Sequence, residues 1–285
     1  MADIRVIKRR IRGVRSTAKI TRAMEMIAAS KMRRAQERGL AGRPYAEKIQ
    51  QVIANLAALT EAGREPHPLL QRRPINKIAL VHITPDRGLC GGLVGNLNRT
   101  IASYMLEKKV PATVIAVGRK GLEFIRRCDT QVLAEFSHLG DRPSLIDTLP
   151  ISRIVIEDYS QGAFDLVCLV YARFVSTMVQ NPCVQQLLPV EPASIPAAQN
   201  VDYIYEPGPD VVLGNLLTRF VEMEVYHAIL ESIASEQSAR MVAMKNATDN
   251  ASELIDDLTL LYNKARQEAI TRELLDIAGG VEALT

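Results

Sequence analysis

Residues 239–285 read ARMVAMKNATDNASELIDDLTLLYNKARQEAITRELLDIAGGVEALT, and this stretch decides the fold. From Met241 to Ala265 it holds neither proline nor glycine. Met241, Met244, Thr248, Ala251, Leu254, Leu258, Leu261 and Ala265 follow one another in steps of three and four, the seam of a coiled coil. The helical pattern can be followed back from Gly279 to about Val211, which at 1.5 Å per residue predicts a helix roughly 100 Å long. Its apolar stripe is too narrow for a helix buried on all sides, so the pattern demands a partner helix.

The other end of the chain supplies one. Over residues 3–38, Ile4, Ile7, Ile11 and Val14 keep the same spacing, continued weakly by Ala18, Thr21 and Glu25. A second stripe of Ile20, Met24, Ile27 and Lys31 predicts a shift of the contact face. Gly39, Gly42 and Pro44 interrupt the pattern, and Pro44 is expected to kink the helix or restart it. Tyr45–Thr60 resumes it. Met1–Arg43 holds 13 Lys/Arg against 3 Asp/Glu, while Asp210–Thr285 holds 6 against 13. The two ends are electrostatic complements, which favours pairing between them over a nucleic-acid arm or a membrane-surface helix.

The middle reads differently. Lys77–Thr84, Ala112–Gly118, Gln131–Ser137 and Asp165–Val175 are short β-branched runs, with helical stretches Leu93–Lys109, Lys120–Arg127 and Leu145–Gln161 between them. Strand–helix alternation predicts a parallel sheet covered on both faces, with a last strand near Val184–Val190 antiparallel at an edge. The expected fold is therefore an antiparallel coiled coil of the terminal helices carrying an inserted Rossmann-like, mostly parallel α/β domain. The boundaries are 1–60 for the first coil helix, 61–75 for a linker, 76–192 for the α/β domain, 193–209 for a second linker and 210–285 for the last helix.

Little in the chain reads as catalysis. The turn Thr84-Pro-Asp-Arg-Gly-Leu-Cys-Gly-Gly-Leu-Val-Gly95 follows the first strand, where phosphates often bind. It lacks the G-x-G-x-x-G spacing and no Gly-Lys-Ser/Thr follows, so it reads as a glycine-eased turn packing a helix on the sheet. Cys90 within it reads as a buried thiol, not a nucleophile. Cys90, Cys128, Cys168 and Cys183 form no C-x-x-C pair, which suits reduced thiols. His67, His82, His138 and His227 have no metal-ligand spacing. Neither a secretory signal nor a bilayer-spanning run is apparent. After Leu274, the residues Leu275, Ile277, Ala278, Val281 and Leu284 make a tip poor in charge, read either as a frayed end or as a tip held in another chain's apolar socket.

Three blocks then resemble a known family. They are Ile11–Gln36 (IRGVRSTAKITRAMEMIAASKMRRAQ), Asp86–Gly92 (DRGLCGG), and Ala239–Asn263 with Ile270–Leu284 (ITRELLDIAGGVEAL). Together they are similar to the gamma subunit of F-type ATP synthases over nearly the whole chain. Ile270, Thr271, Glu273, Asp276 and Gly280 fit the family's terminal signature, while Val281 stands where alanine is usual.

The resemblance implies a central-stalk rotor with no catalytic site of its own, coupling ion flow through a membrane to ATP synthesis or hydrolysis. It implies one copy of the chain among three alpha and three beta subunits, an epsilon subunit and a ring of c subunits. It implies no cofactor or metal on this chain, since ATP, ADP and Mg would be held by partner subunits. The implied location is peripheral, on the cytoplasmic face of a bacterial cell membrane. Torque contacts with beta subunits would involve Met24, Arg33, Arg34, Arg240, Arg266, Gln267 and Thr271. Tyr203, Tyr205 and Glu206 would form the foot on the c ring. No cysteine-bearing regulatory insertion of the chloroplast type is seen. The competing reading is a nucleotide-binding α/β enzyme with a coiled-coil arm.

Overall fold

A computed structural model describes residues 4–60, 67–191, 206 and 208–282. Five α-helices and five strands follow in the order α1 (Ile4–Thr60), β1 (Ile78–Ile83), α2 (Leu93–Lys108), β2 (Ala112–Val117), α3 (Arg119–Arg127), β3 (Gln131–Phe136), α4 (Leu145–Ser160), β4 (Leu166–Phe174), β5 (Gln180–Leu188) and α5 (Pro209–Glu282). Packing divides the chain into two compact units, Met1–Ala28 with Met241–Thr285, and Ala29–Arg240. The divisions fall inside α1 and α5, so each long helix contributes to both units. Of the expected linkers, residues 61–66, 193–205 and 207 lie outside the described residues.

In the larger unit the sheet order is β3-β2-β1-β4-β5. β1 pairs in parallel with β2 and with β4, β2 pairs in parallel with β3, and β5 runs antiparallel to β4. The last strand begins at Gln180, four residues ahead of the expected Val184, because Phe174 already pairs with Gln180 across the hairpin. Strand alternation assigns the two faces. Ala79, Val81, Ile83, Ile115, Val167 and Leu169 belong to a core shared with Ile53 and Leu56 of α1, Ile151 and Val155 of α4, and Leu217 and Val221 of α5. Ile78, Leu80, Val114, Cys168 and Val170 face Ile101 of α2 and Ile125 of α3. Each fully buried aliphatic side chain contributes about 1.5–3 kcal/mol.

Of the two expectations for Pro44, the restart is overturned: one helix runs from Ile4 to Thr60 with Pro44 inside it. Burial of Ala35 before it and of Ile49, Ile53 and Leu56 after it holds both sides in one helix, which outweighs the roughly 3 kcal/mol local cost of an interior proline. Gly42 has a packing reason: a Cβ there would run into the His227 imidazole of α5.

In the smaller unit, α1 and α5 pack as an antiparallel pair. Ile7 and Ile11 cluster with Leu258, joined by Val14, Ile255, Tyr262 and Ala265. Further along α1, the Thr21 hydroxyl meets the Thr248 hydroxyl at 2.7 Å, so rising numbers on one helix meet falling numbers on the other. Two details of the seam are corrected. Leu254 and Leu261 are each 46% exposed. The covered positions instead run Met244, Thr248, Ala251, Ile255, Leu258, Tyr262, Ala265. Two successive steps of three, as in 248–251–254, carry a side chain about 120° around the helix. The step from Ala251 to Ile255 returns to the line. On α1, Ile20 and Ile27 are 58% and 55% exposed. The contact face does not shift to them; it continues through Ala18, Thr21 and Ala28, because small residues there let the helices approach closely.

Candidate functional site

Two places merit description as sites: the surface of the helix pair, and the carboxyl edge of the sheet. On the helix pair, α1 turns Arg5, Lys8, Arg9, Arg10, Arg12, Arg15, Lys19 and Arg22 to the surface. α5 turns out Asp249, Glu253, Asp256 and Asp257. The α1 surface is thus basic and the α5 surface acidic, and both carry apolar side chains left uncovered. Ile20, Ile27, Leu254, Leu260, Leu261, Leu274, Leu275 and Ile277 are between 46% and 73% exposed. The first five lie on the helix pair outside its seam, and the last three on α5 beyond Ala265, the last residue of the seam cluster.

The expected contact residues are distributed as follows. Met24 is half-buried on α1. Arg266, Gln267 and Thr271 are exposed on α5. Gln267, Thr271, Leu275 and Ala278 are spaced four, four and three apart, so they line one face of the helix. Leu275 and Ile277 are exposed, Val281 lies within α5, and Leu284 lies outside the described residues. Arg33 and Arg34 are exposed in the larger unit, with the Arg34 guanidinium donating to the Ser30 hydroxyl at 3.1 Å. Arg240 is engaged within the chain: it pairs with Glu236 at 2.7 Å, donates to the Gly88 carbonyl at 3.2 Å, and its side chain is only 12% exposed. Tyr203 and Tyr205 lie outside the described residues, and Glu206 is exposed at a bend.

At the carboxyl edge of the sheet the chain fills the place where a dinucleotide-binding fold takes its ligand. The Asp86 carboxylate accepts from the Arg119 amide at 3.1 Å and from the His138 amide at 2.9 Å. It therefore occupies the amino terminus of α3, the natural seat of a phosphate. The Thr84 hydroxyl accepts from the Gly121 amide at 2.8 Å in the same turn. Gly118 is in the left-handed region at φ 95°, and a Cβ on it would collide with the Thr84 backbone. The helix end is thus locked onto the strand end.

α5 closes the rest. The Ser235 hydroxyl donates to the Ala172 carbonyl at 2.8 Å, and the Ser238 hydroxyl to the Thr177 carbonyl at 2.8 Å. Ala239 packs with Cys90, Leu93 and Leu97. The cavity left beside Thr84, Asp86, Gly118 and Glu236 measures about 50 Å³, far below the roughly 300 Å³ at which ligand pockets begin. Burial, reinforced by the Glu236 charge, raises the Cys90 thiol pKa, so it stays protonated and unreactive. Desolvation raises Glu236 despite the opposing Arg240 charge. Cys128 is exposed and Cys183 half-buried, so burial of the thiols holds for Cys90 and Cys168. Among the described residues, no group of three His, Cys, Asp or Glu is placed to hold a metal ion, and no helix is long and apolar enough to cross a membrane.

A family described as ATP synthase matches residues 3–284. An ATP synthase gamma chain of Dehalococcoides mccartyi is 66% identical over 284 residues, covering 100% of both chains. The chain belongs to the ATP synthase gamma family. A second gamma chain, from Herpetosiphon aurantiacus, is 50% identical, covering 100% of this chain and 99% of its own. Among solved structures, the central stalk and c ring of the Tetrahymena thermophila mitochondrial ATP synthase includes a chain with a TM-score of 0.64 and 26% identity, covering 80% of this chain and 99% of its own. A chain of the Euglena gracilis mitochondrial ATP synthase reaches 0.67 at 21% identity, over 99% of this chain and 94% of its own, a likeness of fold. The gamma fold of long first helix, mostly parallel sheet and long last helix is the one described above.

Sequence reasoning placed Thr21 and Thr248 in the seam but missed Ile255 and Tyr262, and it missed Asp86 and Ser235 as closures of the strand edge. A strict four-three count would have found Ile255 and Tyr262. Asp86 and Ser235 carry no local signal, since their partners lie 33 or more residues away.

Proposed function

We propose that this chain is the rotor of a membrane-bound ATP synthase. It turns inside a ring of three alpha and three beta subunits, on a foot formed with the epsilon subunit and the c ring, with one copy per complex. It is peripheral on the cytoplasmic face of a bacterial membrane and carries no catalytic site, the nucleotides and magnesium being held by its partners. The observation that carries this reading is the helix pair of a gamma-family chain, closed along its own seam yet apolar on its outward faces.

The mechanism needs no reacting group. A single rod cannot touch three identical neighbours alike, and here the unlike faces are visible: basic on α1, acidic on α5, apolar patches on both. Each ring site meets a different face at a given angle, and rotation changes which conformation that site favours. Differential contact of this kind is what a population shift requires. Arg33, Arg34, Arg266, Gln267 and Thr271 supply the polar contacts, and Met24 an apolar one on α1. Exposed pairs contribute only about 0–1 kcal/mol each, weak enough to break and reform at every step. Arg240, tied to Glu236 and Gly88, steadies the base of the terminal helix and contributes to torque through that position.

Against the nucleotide-enzyme reading weigh Asp86 and α5, which stand at the sheet edge where such a fold takes its ligand. Copurification tests the proposal. Tagged chain expressed in its native background is expected to bring down two larger nucleotide-binding subunits at three copies each. Recovery of the chain alone, with stoichiometric ATP bound to it, would overturn the rotor reading.

A further inference from the structure

Between Gln36 and Gln50, helix α1 crosses an open cleft of about 740 Å³. The far wall is built by β4, β5 and α5, including Tyr171, Gln185 and Glu224. That wall is fastened to itself: the Tyr171 hydroxyl donates to Gln185 Oε1 at 2.7 Å, and Gln185 Nε2 donates to Glu224 Oε2 at 2.9 Å. At either end of the crossing α1 is anchored, by Ala35 at 4% exposure and by Ile49 and Ile53 at 5% and 1%. Between the anchors, Leu40 and Tyr45 are 56% and 52% exposed. At mid-span Gly42 fits against the His227 ring.

The span also concentrates the residues that weaken a helix: Gly39, Gly42 and Pro44 lie within six positions. Interior glycine and proline both disfavour helix relative to alanine, proline by removing an amide hydrogen bond as well. Gly42 is required by His227, but Gly39 is not required by packing, since a Cβ there would meet no atom within 4 Å. Pro44 is exposed and fills no gap.

We infer that the span Gln36–Gln50 is a flexure: a helical strap softened at mid-length, with a cleft beneath it that leaves room to bend, hung between two fixed anchors. Such a strap lets the anchor at Ala35 shift against the anchor at Ile49 while both stay packed, whether or not the rotor reading holds.

Hydrogen exchange on the intact chain tests it. Backbone amides of residues 39–48 are expected to exchange at least about tenfold faster than those at the anchors, residues 30–36 and 50–56. The double substitution Gly39→Ala with Pro44→Ala should slow exchange in the span by about tenfold or more, and Gly39→Ala alone by about fivefold, the rate equivalent of about 1 kcal/mol. Neither change adds a steric clash, so each variant should melt no lower than the parent. A span that exchanges as slowly as its anchors, or one whose exchange is unmoved by both variants, would overturn the flexure. Because the readout is on the chain alone, its failure is separable from failure of the copurification test.

Discussion

Helix α5 lives in two environments, and the contrast explains both halves of the molecule. Within the larger unit, Ala228, Ile229, Leu230, Ile233, Ala234 and Ala239 are all buried, so most of the helix circumference is covered. Beyond Met241 only every third or fourth side chain is covered, and Leu260 and Leu261 stand exposed beside Leu258. The first pattern belongs to a helix in a three-layered core, the second to one strand of a two-helix coil. The stability of the larger unit comes from area and close backbone approach. The coil depends on a single line of contacts, and its outward face is free to carry function.

The sharpest way to break this contrast is at the sheet's carboxyl edge. Gly118→Ala forces a Cβ against the Thr84 backbone at a left-handed position, and should cost about 4 kcal/mol in urea unfolding of the chain. An effect under about 1 kcal/mol would mean that the edge is loosely packed.

The second effect is set by pH. His82 is fully buried in β1, and its pKa is lowered from 6.5 to about 4 by burial, with the Asn98 hydrogen bond only partly opposing. The unfolded chain takes up a proton near pH 6.5, which the folded chain refuses until about pH 4. Its contribution is therefore complete above pH 6.5 and is lost as pH falls toward 4, a loss of about 3 kcal/mol. Unfolding free energy measured across that window should show the decline, and His82→Gln should flatten it. The coil, which has no histidine, should show no such component.

The smallest effect separates seam from surface within the coil. Leu258→Ala should destabilise the coil by about 2–3 kcal/mol, whereas Leu261→Ala, three residues on and half exposed, should cost less than about 1 kcal/mol. Helicity loss followed by circular dichroism on heating distinguishes them. Equal losses would restore Leu261 to the seam.

Much of this was legible in the sequence, and what was not has a common cause. Strand runs such as IALVHI at Ile78–Ile83 and the helices between them announce themselves, because their period is local. The antiparallel partnership of α1 and α5 was legible from matched spacing and opposite charge. The phase of the seam was not: Leu254 looks more hydrophobic than its neighbour in line demands, and leucine at a coil's outer face misleads a reading that assumes apolar means inward. The stripe at Ile20 and Ile27 misled in the same way. Pro44 misled as a restart point, because the anchors at Ala35 and Ile49, which only tertiary packing reveals, keep both sides in one helix. Among the site residues, Arg266, Gln267 and Thr271 are exposed, while the hydrogen bond of Arg240 to Gly88 is a long-range fact with no local sign.

The aspartate at position 86 has a wider consequence. By lending its own negative charge to the amides of Arg119 and His138, it fills from within the chain the helix end at which an anion would be drawn. A strand edge that related folds leave open to a ligand is thus shut by a side chain 33 residues upstream of the amide it holds.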